Sequence, residues 1–301
     1  MFSVNIFDNH LSIYILGIHI KKKLSPVQVD IALSEYGLNK EVRNPRIIAS
    51  LTTFPDRINT VSKTISTLLK QTLKPDMLIL WLAKEQFPNK EEELPDELLK
   101  LKDFGLTIKW CDDIRSYKKL IPALKEFPDD IVITFDDDVY YPFDTVEKLY
   151  NSYLEYPNCI HANRVRRFFI KNNEIMSKTA ADIYWVKFND CSFLNKITGC
   201  GGVLYPPHSL CDKVLNEEEF ERIVPTQDDV WFWAMAVLNN TKIKLVGGYD
   251  IQLPTVEDTQ NCGLSKINSK KGKGIDSLDA ARIIAKEYPE ILEKLKMEDK
   301  A

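Results

Sequence analysis

The chain has 301 residues, 44% of them hydrophobic and 28% charged, with a net charge of −4. That length supplies one large domain with a substantial core, or two small ones, and the balance is ordinary for a soluble globular protein. A pI of about 5.7 gives no chain-wide electrostatic footprint for nucleic acid, so no nucleic-acid partner is expected.

The N-terminal stretch "LSIYILGIHIKKK" carries an apolar run, Leu11 to Ile20, interrupted by His19. The run is too short to span a bilayer. Its lysines follow the apolar residues, the reverse of a signal peptide. It reads as an exposed strand or hairpin. The alternative is peripheral contact with a membrane surface, with Lys21, Lys22 and Lys23 at the headgroups. Periodicity is weak as far as the polar "YGLNKEVRNP". Residues 1–44 therefore read as an appendage and residues 45–301 as one domain.

From Arg46 the pattern changes. "RIIASLT" is a short apolar strand, and "RINTVSKTISTLLKQT" places Ile58, Val61, Ile65, Leu68 and Leu69 at helical spacing. Pro75 ends that helix. "MLILWL" is a second strand, "ELPDELLKLKDFG" a short helix stopped near Gly105, and "LTIKW" a third strand. "YKKLIPALKEFP" carries a helix and "IVITF" is the fourth strand. Alternating strands and helices predict an α/β fold, a mostly parallel Rossmann-type sheet with helices on both faces. Wholly apolar strands fit burial on both sides. The chain lacks GxGxxG and a P-loop lysine motif, which argues against a dinucleotide fold or an ordinary NTPase. Downstream, "SKINSKKGKGIDS" reads as a mobile basic loop. The six cysteines stand singly without zinc spacing, the pattern of free, mostly buried thiols in a reducing compartment.

The fourth strand runs straight into Asp136, Asp137 and Asp138. Like charges crowd unfavourably unless a cation or water offsets them. In open α/β sheets, ligands bind beyond the carboxyl ends of the strands, where these aspartates stand. Oxygen ligands suit Mg²⁺ or Mn²⁺, held by one or two carboxylates with substrate phosphates. In extended backbone, residues two apart point the same way, so Asp136 and Asp138 are expected to address one site and Asp137 another. A second acidic pair, Asp228 and Asp229 in "PTQDDVWFWAMAV", opens a helix, where acids also serve as caps.

Four ordered blocks, "RIIASLTTFPDRI", "SYKKLIPALKEFPDDIVITFDDDVYYP", "TGCGGVLYPPHSL" and "PTQDDVWFWAMAV", together resemble bacterial glycosyltransferases of the GT-A fold. They are similar to the family 2 type that builds lipopolysaccharide, lipooligosaccharide or capsule. The resemblance covers about residues 46–265, and "ILGIHIKKK" looks like the leader of several such enzymes. It implies a GT-A-like domain, a nucleotide-diphosphate sugar donor, Mn²⁺ or Mg²⁺, and a glycan or glycolipid acceptor, in the cytoplasm or at the inner membrane. Residue by residue, it implies metal ligation by Asp138, with Asp136 at ribose or metal-bound water. Asp137 is grouped with the donor residues by position but reads as structural. Thr52 and Pro55 would seat the base and ribose. Arg57 would touch diphosphate or cap its helix. Lys118 or Lys119 would face the donor or form a solvated helix start. Gly201 and Gly202, with Gly199, suggest a loop close to donor or acceptor. The family's general base lies in an acidic pair at a helix start; here the usual Glu-Asp is Asp-Asp, with Asp229 the expected base of an inverting transfer and Asp228 the runner-up. Arg164 and Arg166 could serve a phosphorylated acceptor or a solvated strand edge, His208 is an acceptor contact, and Trp231 is core or a sugar platform. The rivals are a nucleotidyltransferase making a nucleotide sugar and an inactive sugar-nucleotide-binding module.

Overall fold

The computed structural model describes residues 2–7, 10–15, 18–23, 36–178, 190–246, 253–262, 268 and 274–300. The first three strands, β1 (Phe2–Phe7), β2 (His10–Ile15) and β3 (Ile18–Lys23), form an antiparallel sheet of their own. Among the described residues no helix is long and apolar enough to cross a membrane. The expected mobile basic loop lies largely outside the described residues.

The body begins before the predicted boundary. Gly37 and Asn39 donate backbone hydrogen bonds to Leu69 and Pro75, and Arg43 pairs with Asp76 at 2.9 Å. Residues 36–44 are thus tied to the α/β body. The predicted alternation follows: β4 (Ile47–Thr52), α1 (Val61–Leu69), β5 (Met77–Ala83), α2 (Asp96–Leu99), β6 (Leu106–Cys111), α3 (Ile121–Glu126) and β7 (Ile131–Phe135). The helices are shorter than the sequence pattern, because 3₁₀ turns at Lys100–Phe104 and Arg115–Lys119 take up part of each. Beyond them come α4 (Thr145–Glu155), β8 (Cys159–Ala162), β9 (Val165–Lys171), β10 (Glu174–Ser177), β11 (Cys191–Ser192), β12 (Asn195–Ile197) and β13 (Val203–Tyr205). The chain closes with α5 (Glu217–Ile223), α6 (Asp228–Leu238), β14 (Lys242–Leu245), α7 (Ser277–Glu287) and α8 (Pro289–Asp299).

The main sheet has eight strands in the order β11-β14-β8-β13-β7-β4-β5-β6. β7, β4, β5 and β6 run parallel, whereas β13 is antiparallel to both β7 and β8. Side chains alternate between two cores. Ile47, Ala49, Leu51, Leu78, Leu80, Ile131, Ile133 and Phe135 enter one; Ile48, Ile79, Trp81 and Val132 enter the other. Both faces are covered, which is why these strands are apolar throughout. α1 buries Val61, Ile65, Leu68 and Leu69 on one stripe. α6 is buried all round from Val230 to Val237, as a helix enclosed by other elements must be. Fully burying one such Leu or Ile is worth about 1.5–3 kcal/mol. A second antiparallel sheet, β10-β9-β12, touches α6, α7 and α8.

Of the five cysteines described as free, only Cys159 is fully buried; Cys111, Cys191, Cys200 and Cys211 are half-buried. The expectation of mostly buried thiols is corrected to that extent, because these four lie at strand ends and loops.

Candidate active site

The strand order fixes the place where a ligand can enter. From β4 the chain steps outward to β5 and β6, then returns to lay β7 on the other flank of β4. The order reverses between β4 and β7, and a crevice opens beyond their carboxyl ends. Thr53 ends one side and Asp136–Asp138 the other. Thr53 Oγ1 donates across the gap to Asp137 Oδ2 at 2.5 Å.

Two cations organise the acids. Arg57, at the end of the 3₁₀ turn Pro55–Arg57, is buried. Its Nη1 lies 2.6 Å from Asp137 Oδ1 and 3.0 Å from Asp138 Oδ2, and its Nη2 donates to Thr259 O at 3.0 Å. Gln260 Nε2 donates to Asp138 Oδ2 at 2.9 Å. Burial pushes the carboxyls of Asp137 and Asp138 up, against the pull of Arg57. Residues 253–262 lie along this turn: Val139 bridges Thr255, and Val256 N–H donates to Asp138 O.

Lys119 is the second cation, 5% exposed. Its Nζ stands 3.0 Å from Asp136 Oδ1, 2.8 Å from Asp228 Oδ2 and 3.5 Å from Asp229 Oδ1. The contact with Asp228 is an ion pair without the direction of a hydrogen bond. Burial opposes charge on this lysine, but the surrounding aspartates hold its pKa well above the ordinary value. Asp136 is pushed up to about 6 by burial and by the charges of Asp229 and Asp138, against the pull of Lys119. Asp229 goes the other way. Burial alone would raise it, but Lys119, Lys196 and the Gly199 N–H, which donates to Oδ2 at 2.8 Å, hold it below the usual carboxylate range. A Cβ on Gly199 would sit 2.8 Å from both Asp229 Oδ1 and Lys119 Nζ, so only glycine lets this backbone approach the acids.

The predicted residues fall into distinct places. Asp136, Asp228, Asp229 and Lys119 converge. Asp137 and Asp138 share Arg57, contrary to the expected separation of Asp137 from its neighbours. The strand ends at Phe135 and residues 137–138 form a turn, so the two-residue alternation does not extend to them. Asp137, with both oxygens engaged by Thr53 and Arg57, braces the turn and is not available to a donor. Arg57 neither caps a helix nor stands open at the surface. Lys118 is buried against Asp113 at 2.6 Å, and neither it nor Lys119 is a solvated helix start. Thr52 Oγ1 donates to Trp81 O, and Pro55 is exposed near the crevice.

Gly201 packs against Asn163 and Arg164, and Gly202 has φ +86°, beside the Phe135 ring. Arg164 Nη1 lies 3.0 Å from Cys200 Sγ. Arg166 lies on β9 opposite Lys196 of β12. Two acceptor expectations are corrected. His208 follows β13, and its Nε2 meets Asp129 just ahead of β7. It therefore sits at the amino end of β7, a strand length of roughly 17 Å from the carboxylates. Trp231 is fully buried, edge-on to Phe220 and Tyr288, with Nε1 donating to Val214 O; it is core and no sugar platform.

Sequence reasoning missed Thr53, Tyr141, Gln260 and Lys196. Tyr141 Oη accepts from the Asp136 N–H at 2.9 Å. Its spacing from the aspartates was the one local signal; the other three are brought in by long-range pairing. A groove of about 860 Å³ between the β9–β10 hairpin tip and α7 is lined by Asn173, Asp279, Arg282 and Lys286 among others. It shares no residue with the carboxylate clusters.

Among the described residues no group of three His, Cys, Asp or Glu side chains forms a metal cage. The donor set nevertheless fits a hard divalent cation that keeps substrate phosphates in its shell. Lys119 answers three carboxylates and Arg57 two, so negative charge is left in excess. Asp138, with its side chain 14% exposed, opens towards the crevice.

No family model matches the chain, and no curated protein matches its sequence. Similar solved structures include the following two. One is TarS 1-349 of S. aureus, at 14% identity and TM-score 0.44, over 68% of this chain and 59% of that one. This chain thus spans less than two thirds of the TarS fragment. The other is the mannosyltransferase PcManGT from Pyrobaculum calidifontis in complex with GDP-Man and Mn²⁺, at 14% identity and TM-score 0.46, over 88% of this chain and 72% of that one.

Proposed function

We propose that the protein is a metal-dependent, inverting glycosyltransferase. It moves a sugar from a nucleotide-diphosphate sugar to a glycan or glycolipid acceptor in bacterial surface-polysaccharide synthesis. The observation that carries this reading is the meeting of Asp136, from the end of β7, with Asp229, from the start of α6, across Lys119 at the switch point. Asp229 is kept ionised by Lys119, Lys196 and the Gly199 N–H and so is able to accept a proton, while the crowded Asp136 carboxyl leaves room for the charge of a further cation.

Asp138 and Asp136 would hold Mn²⁺ or Mg²⁺. When bound, the cation supplies Lewis-acid neutralisation of the charge that develops on the departing nucleoside diphosphate. Asp229 accepts the acceptor hydroxyl's proton as that oxygen bonds to the anomeric carbon. The bond from that carbon to the phosphate oxygen breaks, and the electron pair leaves with the nucleoside diphosphate. The Gly199 N–H and Lys119 fix the direction of the Asp229 carboxylate. The setting is the cytoplasm, with Lys21, Lys22 and Lys23 at the inner-membrane surface.

The test is incubation with a panel of sugar nucleotides and Mn²⁺, with and without chelator. Chelator-sensitive release of nucleoside diphosphate is expected. Release of pyrophosphate from a nucleoside triphosphate and a sugar phosphate would identify a nucleotidyltransferase, and neither product would identify a binding module. Retention on anionic vesicles, lost on deleting residues 1–23, checks the membrane contact.

A further inference from the structure

Lys196 is 4% exposed, yet it makes no side-chain hydrogen bond or ion pair among the described residues. Arg166, its direct cross-strand partner on β9, is half-buried and likewise makes none. Like charges directly opposite in an antiparallel pair repel, and a buried ammonium without a hydrogen-bonded anion is unfavourable. Thr198 follows β12 in still-extended backbone (φ −131°, ψ 110°), so alternation puts it on the same side as Lys196, and its Oγ1 is buried without a partner among the described residues. One residue further, the Gly199 N–H binds Asp229. Among the described residues two cations and a hydroxyl therefore stand beside Asp229 without a hydrogen-bonded anion, and Asp229 is already engaged by Lys119 and the Gly199 N–H.

A plain charge balance for the acids would explain Lys196 alone. It does not explain a second cation held against the first. We propose that Lys196 and Arg166, with Thr198, form an anion subsite on the acceptor side of Asp229, and that the acceptor carries a phosphate group near its reacting hydroxyl. The side follows from position. Lys196 lies on β12, which runs into Gly199, whose N–H binds Asp229, whereas Asp138 meets Arg57 and Gln260 on the donor side. Arg is suited to a bidentate grip on phosphate and Lys to a point charge. The choice of acceptor side rests on the glycosyltransferase reading above.

Titration with inorganic phosphate, followed by calorimetry, tests the subsite directly. Saturable binding is expected, with Lys196→Met and Arg166→Gln each weakening it about tenfold or more, the equivalent of one lost charged hydrogen bond. Affinity for UDP or GDP with Mn²⁺ should change less than about twofold, well below one such bond. Arg166 is half-buried, so its variant carries the test even if Lys196→Met does not fold. Absence of saturable phosphate binding, or binding indifferent to both changes, overturns the proposal. Equal weakening of phosphate and nucleoside diphosphate overturns the acceptor assignment and gives the pair to the leaving group. Phosphate binding that depends on both residues in a protein that releases no nucleoside diphosphate would leave the subsite standing and overturn the transfer reaction.

Discussion

The Arg57 and Lys119 clusters stand side by side but are built for different work. Arg57 lies on the turn after β4; its Nη1 holds Asp137 and Asp138, on the turn after β7, while its Nη2 donates to Thr259 O. Every carboxylate oxygen of Asp137 is used, and Thr64 Oγ1 donates to its carbonyl. That is a brace between two neighbouring strands. Lys119 is a point charge shared among carboxylates from β7 and from α6, nearly a hundred residues further along. Its cluster joins the parallel half of the sheet to the later half and leaves the acids partly uncompensated. A guanidinium fixes geometry; an ammonium lets several acids share one charge.

The largest effect should come from removing the shared charge. Lys119→Met leaves the buried Asp228 and the half-buried Asp136 and Asp229 without their shared cation, which should cost about 3–5 kcal/mol and abolish transfer. A melting curve and a turnover assay check it; a stable, active variant would show that the acids are not held by Lys119.

Next is Asp229→Asn. Its carbonyl oxygen can still accept from the Gly199 N–H, so the melting temperature should hardly move, while transfer falls about 10²–10⁴-fold. Asp228→Asn should slow transfer less. If Asp228→Asn is the dead variant and Asp229→Asn turns over normally, the roles are exchanged.

His161, outside both clusters, sets the background pH dependence against which theirs is read. Its Nε2–H donates to Tyr156 O, so Nδ1 accepts from Ser152. Burial lowers its pKa to about 4. The unfolded chain therefore takes up this proton first, and stability is full above pH about 6.5 and is lost as pH falls towards 4, by about 3 kcal/mol at most. Denaturant midpoints measured across that range should flatten in His161→Gln.

The smallest change tests the brace itself. Arg57→Lys keeps the charge but loses the second nitrogen that donates to Thr259 O, and should cost about 2 kcal/mol for one charged hydrogen bond. Half-saturation by Mn²⁺ should rise modestly, as Asp138 loses its alignment. A variant identical to the parent in denaturation and Mn²⁺ titration would show that the planar guanidinium and its Thr259 bond are irrelevant there.

The same contrast explains what could be read from residues alone. β4 to β7 were legible because each is a continuous apolar run covered on both faces, and α1 because its stripe repeats at helical spacing. The later half was not. β11 has two residues and β12 and β13 three each, too short for a period, and their pairing is decided by distant strands. Asp136, Asp228 and Asp229 were legible as charges at element ends. Lys119 was expected at the donor, and its enclosure by acids could not be read, since the partners lie up to 110 residues away. Trp231 and His208 misled because an aromatic or imidazole side chain advertises chemistry without saying which end of the sheet it occupies.

The segment at 253–262, laid along the acid turn, has a temporal consequence. Gln260 reaches back 122 residues to Asp138, and Thr259 reaches back 202 to Arg57. The βαβ units close over short loops and can form while the chain is still emerging from the ribosome. The final contacts on Asp138 belong to the slow class of high-contact-order closures. In a chain made from its N-terminus, the scaffold around β4 and β7 is therefore complete well before the Asp138 side of the crevice is.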